Sequence, residues 1–87
     1  MKTFKDLEFK PHSIGNGVQA KITFENGRGV SVVKFKGSYG YPDLWELAVL
    51  DKEGALDYST PITDDVLGHL TENDVSETMQ KVEALEN

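Results

Sequence analysis

Apolar and polar residues alternate with a period of two through much of residues 18–58, and the period lengthens toward 3.6 only after Pro61. The alternation is sharpest in "VQAKITFENGRGVSVVKF" (18–35). There two runs flank Asn26-Gly27, a dipeptide suited to the positive φ angles of a tight hairpin turn. A two-residue turn sets Glu25 against Arg28, Phe24 against Gly29, Ile22 against Ser31, Ala20 against Val33 and Val18 against Phe35. Val18, Ala20, Ile22, Phe24, Val33 and Phe35 then share an apolar face. Gln19, Lys21, Thr23, Glu25, Arg28, Val30, Val32, Lys34 and Lys36 line the other. A three-residue loop closing on a bulge at Gly27 slips the register by one and brings Lys34 opposite Val18 on the core side. The two-residue turn segregates charge better and is the expected form.

"LWELAVL" (44–50) places Trp45, Leu47 and Val49 on one side and Leu44, Glu46, Ala48 and Leu50 on the other, so an inner strand apolar on both faces is expected. "DKEG" supplies a type I turn with Gly54 for a left-handed position. "ALDYST" then returns with Leu56 and Tyr58 as a second hairpin. Ahead of these, Phe4, Leu7 and Phe9 fit either a short turn of helix or an edge strand, and "PHSIGNG" reads as loop. Residues 1–16 are accordingly an edge element or a less ordered segment.

After Pro61, Thr63 is a good N-cap with Asp64 and Asp65 in the first turn of a short helix over "DDVLGHL", ended by Gly68. Thr71 starts a second helix with Glu72 and Asp74 in its first turn. Val75, Met79, Val82 and Leu85 form its apolar stripe. The expected architecture is α+β: an antiparallel sheet of three to four strands from two hairpins, with the C-terminal helix and the short helix before it packed on one face.

Length and composition narrow the function. Eighty-seven residues with 38% hydrophobic content suit one small domain, 1–87. The chain has no cysteine, which removes disulfides, thiolate zinc sites and cysteine nucleophiles. No run approaches the ~18 apolar residues of a membrane span, and charge interrupts "MKTFKDLEFK" where a signal peptide needs an apolar stretch. A cytoplasmic protein with no membrane partner is expected. Charge is divided along the chain: residues 1–42 carry seven basic against three acidic side chains, and residues 43–87 carry twelve acidic against two basic.

Motifs for catalysis or cofactors are missing. His12 and His69 have no second His or Cys at metal spacing, so no metal is expected. Asp64 and Asp65 read as helix-start residues rather than paired catalytic carboxylates. "GNG", "NGRG" and "GSYG" lack the Lys-Ser/Thr of a phosphate loop, and no Gly-x-Ser-x-Gly elbow occurs. Neither an enzyme nor a cofactor is expected. Three surface features remain. Tyr39 and Tyr41, with Asp43, sit in the "SYGYPD" corner and are amphipathic side chains of the kind interfaces favour. Lys21, Arg28, Lys34 and Lys36 would form a basic hairpin face able to follow a phosphate backbone, although no aromatic lies on that face for base stacking. Asp64, Asp65, Glu72, Asp74 and Glu77 would form an acidic face able to mimic nucleic acid.

From "FENGRGVSVVKF" through "SYGYPDLWELAVLD" to "TPITDDVLGHLTE", the order of elements resembles a group of small uncharacterised accessory proteins of tailed bacteriophages and prophages. The resemblance spans roughly residues 24–85. It implies phage origin, a site of action in the cytoplasm of an infected or lysogenic bacterium, and no established activity. The function expected by analogy is binding of a macromolecular partner: a host protein foremost, or a phage protein, with inhibition of host defence or nucleic-acid machinery as its outcome. Direct nucleic-acid binding through the 18–36 hairpin is the alternative. The chain is expected to act as a monomer or a homodimer, an exposed edge strand being one route to the latter.

Overall fold

The computed structural model describes residues 2–12, 17–62 and 66–85 of the chain. Five antiparallel strands run in sequential order across one sheet: β1 (Lys10–Pro11), β2 (Val18–Thr23), β3 (Gly29–Lys34), β4 (Trp45–Leu50) and β5 (Leu67–Leu70). Helix α1 (Glu72–Glu83) lies against one face, and a 3-10 turn at Phe4–Asp6 packs beside it. The fold is therefore α+β, with one strand more than the hairpin count predicts. Among the described residues no helix is long and apolar enough to cross a membrane.

The β2–β3 hairpin takes the slipped register. Val18 pairs with Lys34, Ala20 with Val32, Ile22 with Val30 and Thr23 with Gly29. The loop has three residues, Glu25 to Gly27. The Gly27 amide donates to the Phe24 carbonyl at 2.9 Å, Gly27 lies at φ 89°, and the Phe24 amide donates to the Arg28 carbonyl at 2.7 Å. Burial explains the choice. This register puts Val30 and Val32, both fully buried, on the helix side with Ala20 and Phe24. The two-residue turn would have left both valines facing away from the helix, and burying a valine is worth about 1.5–3 kcal/mol. The cost falls on Lys34, now on the core side. Its ammonium sits 3.9 Å from the centre of the Trp45 ring.

The same hairpin ties the helix to the sheet. Val75, Met79 and Val82 are fully buried against Val30, Val32, Leu47 and Val49, as the apolar stripe requires. At the helix N-terminus Thr71 and Asp74 form a capping box, each side chain accepting from the other's amide at 3.1 Å. At the C-terminus the Asn26 side-chain amide donates to the carbonyls of Val82, Glu83 and Leu85 at 2.9–3.1 Å, and its Oδ1 accepts from the Arg28 amide at 3.0 Å. Carbonyls left orphaned at the helix end are thus satisfied by a hairpin loop more than fifty residues earlier.

Two expectations for the second half require correction. The strand expected from "ALDYST" shrinks to one bridge, Leu50 to Leu56, with the Asp57 amide donating to the Val49 carbonyl at 2.9 Å. The short helix expected over "DDVLGHL" is strand β5 from Leu67 onward; Thr63, Asp64 and Asp65 fall outside the described residues. Thr63, Asp64 and Asp65 read as a helix start, but the residues that follow pair with β4 across a bulge. Trp45 and Leu47, two apart on β4, oppose Leu70 and Leu67, three apart on β5. The extra residue is absorbed where His69 takes a left-handed φ of 58°.

The N-terminal segment combines both of its expected forms, a single 3-10 turn followed by a two-residue edge strand paired to β2. Phe4 and Phe9 pack on Trp45 with ring centres 4.6–5.6 Å apart within the trio, and the Phe4 amide donates to Ser76 on the helix at 2.9 Å.

Asn26→Ala should lower the unfolding free energy by about 1–3 kcal/mol, since it strands several carbonyls at the helix end. Urea denaturation followed by circular dichroism measures this, and an unchanged midpoint would mean the loop does not hold the helix. Leu47→Ala, which empties a fully buried position, should cost about 2–5 kcal/mol in the same assay.

Candidate partner-binding rim

The connection from β3 to β4, residues 35–44, is held by its own hydrogen bonds. Ser38 is buried; its hydroxyl donates to the Phe35 carbonyl at 2.8 Å and accepts from the Phe35 amide at 3.0 Å. The Asp43 and Leu44 amides both donate to the Gly40 carbonyl, at 3.1 and 2.8 Å. Gly37 and Gly40 adopt φ 109° and 97°, where a side chain would be strained. A Cβ on Gly40 would also press on Leu44 and on the His69 backbone. The Tyr41-Pro42 bond is cis.

The loop is anchored to the sheet on both flanks. Tyr39 donates its amide to Glu46 Oε1 on β4 at 3.0 Å and accepts from the His69 amide on β5 at 3.3 Å. Gly68 leaves room for Tyr39, whose Cβ a side chain there would strike. The Tyr39 and His69 rings lie nearly parallel, 18° apart in plane, with centres 6.5 Å apart. On this fixed backbone Tyr39 is 58% and Tyr41 46% exposed. Asp43 is exposed beside them, and its carbonyl accepts from Lys34 Nζ at 3.4 Å. The tyrosine pair and Asp43 are thus carried on one loop, and the structure adds His69, which lies thirty residues from Tyr39. No spacing rule links two such positions. The one local sign was Gly68, assigned to a helix end when its use is to admit Tyr39.

The four basic residues assigned to one hairpin face do not share one, because the register slip separates them. Lys21 lies on the face away from the helix, level with Ser31, whereas Lys34 shares the helix side with Val32 and Val30. Lys36 is exposed in the β3–β4 loop. Arg28 reaches Asp57 through Nη1 at 2.8 Å, beside a hollow of about 430 Å³ that Asp51, Lys52 and Glu53 also line. The slip also moves Phe35 off the helix side, where it stacks on His12 with ring centres 4.9 Å apart.

Part of the expected acidic face serves the fold. Asp74 belongs to the capping box, and the Thr71 amide and hydroxyl hold its carboxyl below the usual range. Glu77 accepts from Asn73 at 3.2 Å, Glu72 is exposed on the first turn, and Asp64 and Asp65 lie outside the described residues. Among the described residues no group of three or more His, Cys, Asp or Glu side chains is placed to hold a metal ion.

The Asp57 carboxyl is held well below its ordinary pKa, lowered to about 2 by the hydroxyl and amide of Ser59 and then by Arg28. Its folded value lies below the unfolded one of about 3.9. The stability it contributes is therefore present above pH 4 and lost as pH falls toward 2. Asp57→Asn should make the fall in melting temperature between pH 4 and pH 2 shallower than in the wild type. Parallel curves for the two proteins would show that this carboxylate does not contribute.

No protein-family model, curated protein or solved structure matches this chain.

Proposed function

We propose that this chain is a non-catalytic, phage-type accessory protein that binds a macromolecular partner, a host protein foremost, through the rim formed by Tyr39, Tyr41 and Asp43 with His69 beside them. One observation carries the reading: two tyrosines are largely exposed on a loop whose backbone is pinned by Ser38, Glu46 and the His69 amide. An exposed aromatic pair on a loose loop would lose much of its binding energy to ordering. On a loop already ordered, tyrosine offers a large amphipathic contact with few torsions left to freeze. The hydroxyl gives each ring a polar end for a partner's hydrogen bonds, and Asp43 supplies charge at the border, in the pattern of an apolar centre and polar rim. The acidic helix supports the reading less well, because Asp74 and Glu77 are engaged within α1 itself.

Tagged wild-type protein should retrieve a defined protein from lysate of a bacterial host. Tyr39→Ala combined with Tyr41→Ala should reduce recovery at least tenfold while leaving the helical circular dichroism intact. Glu72→Lys combined with Glu77→Lys should retrieve the same partner. The reverse pattern, with the tyrosines dispensable and the glutamates required, would overturn the rim in favour of the acidic helix.

A further inference from the structure

Residues 51–58 turn back at the Leu50 end of β4 and run along its outer border. The Asp51 amide donates to the Ala55 carbonyl at 2.8 Å, and the Asp57 amide to the Val49 carbonyl at 2.9 Å. Ala55 and Asp57 thus direct these main-chain groups toward β4. In extended chain the residue between them points the opposite way, so the N–H and C=O of Leu56 face outward. Among the described residues neither group has a partner. The side chains divide in the same manner. Leu56 stands beside Leu50 on the face away from α1 and is 53% exposed, and Tyr58, two residues on, is 43% exposed. Asp57 is turned to the other face, where Arg28 holds it.

We propose that this edge takes up an extended segment of another protein by strand addition, a segment apolar at alternate positions with a basic side chain between them. The residue placed opposite Leu56 exchanges two main-chain hydrogen bonds with it. Its side chain, and those two places to either side, share the face of Leu56. One of the flanking pair meets Tyr58 and the other lies over Gly54, where nothing comes within 4 Å of the position a Cβ would take. A large apolar side chain fits that space. The intervening positions fall on the face of Asp57, over the hollow lined by Arg28, Asp51, Lys52, Glu53 and Asp57. Three carboxylates there outnumber two cations. Asp57 is engaged by Arg28 and Ser59, and Asp51 by the amides of Glu53 and Ala55. Glu53 is exposed, and among the described residues its carboxylate has no partner, which leaves it to receive a lysine or arginine.

The other borders of the sheet are less suited to strand addition. β1 has two residues, one of them Pro11, and β5 is interrupted where its register shifts and His69 turns left-handed. A second copy of the chain also suits the Leu56 edge less well than a basic segment does. Two such short arms bury far less than the ~1,200 Å² at which specific contacts between folded proteins begin. Each copy also carries a net charge of −6. The edge lies at the opposite end of β4 from Glu46, where the tyrosine loop is fastened, so the two surfaces are independent.

Panning the immobilised protein against displayed random dodecapeptides tests this, followed by fluorescence anisotropy with a labelled synthetic copy of the most enriched peptide. Enriched sequences should alternate apolar and polar residues, with Lys or Arg among the polar ones. Saturating peptide should slow hydrogen exchange of the Leu56 amide at least tenfold, read by nuclear magnetic resonance. Leu56→Pro removes the outward N–H and none of the bonds to β4, and should weaken peptide binding at least tenfold. Glu53→Lys should weaken it severalfold. Tyr39→Ala combined with Tyr41→Ala should leave it unchanged, which separates this edge from the tyrosine rim. Circular dichroism checks that Leu56→Pro is folded; if it is not, amide exchange in the wild type decides. No enrichment, enriched sequences without the alternation, binding that follows the tyrosines, or a Leu56 amide left unprotected would each overturn the proposal. Protection of that amide by concentration alone, with a dimer in sedimentation velocity, would overturn it in favour of a second copy.

Discussion

The structure depends on a three-residue loop and the side chain at its centre. Because side chains alternate along a strand, a one-residue change in the β2–β3 loop would turn every residue of one strand to the opposite face. The loop ending at Gly27 settles which residues meet α1, and Asn26 fastens that loop to the last carbonyls of the helix. Turn geometry, sheet register and helix position are thus coupled through one amide group. The valines that gain from the register, Val30 and Val32, lie under the helix that Asn26 holds.

The register shapes both faces of the sheet. Lys34 is driven to the helix side, where Trp45 and the Asp43 carbonyl receive its charge. Its contact with the Asp43 carbonyl links the end of β3 to the far end of the loop that carries the two tyrosines. On the opposite side the slip leaves small residues at the centre, with Lys10 and Lys21 toward one border and Glu46 toward the other. Glu46, on this face, accepts from the Tyr39 amide and so ties it to the tyrosine loop.

Features governed by neighbours in sequence were legible from the chain. The helix stripe from Val75 to Val82, its start at Thr71 and the hairpin around Asn26-Gly27 all follow local rules, and all three are present. Features decided by distant contacts were not. Charge segregation favoured one register for the hairpin, whereas burial of two valines under a helix some fifty residues away decided for the other. Thr63, Asp64 and Asp65 carry the local signature of a helix start, and only the pairing partner on β4 makes the residues from Leu67 onward a strand. At the rim, Tyr39 and Tyr41 could be singled out by type, but the approach of His69 depends on how β5 returns beside β4.

The joint at Asn26 also bears on how the molecule ages. Asparagine followed by glycine is the dipeptide most prone to lose its side-chain amide, by attack of the following backbone nitrogen on the side-chain carbonyl. In the folded chain the Gly27 nitrogen is committed to the Phe24 carbonyl, and the Asn26 amide is held by three others. The native state therefore shields the bond that an unfolded chain exposes. A molecule that lost the amide while open would carry a carboxylate at position 26, facing the negative end of α1 that the amide had satisfied. Chemical lifetime in this protein is thus tied to conformational stability through the residue that joins its two layers.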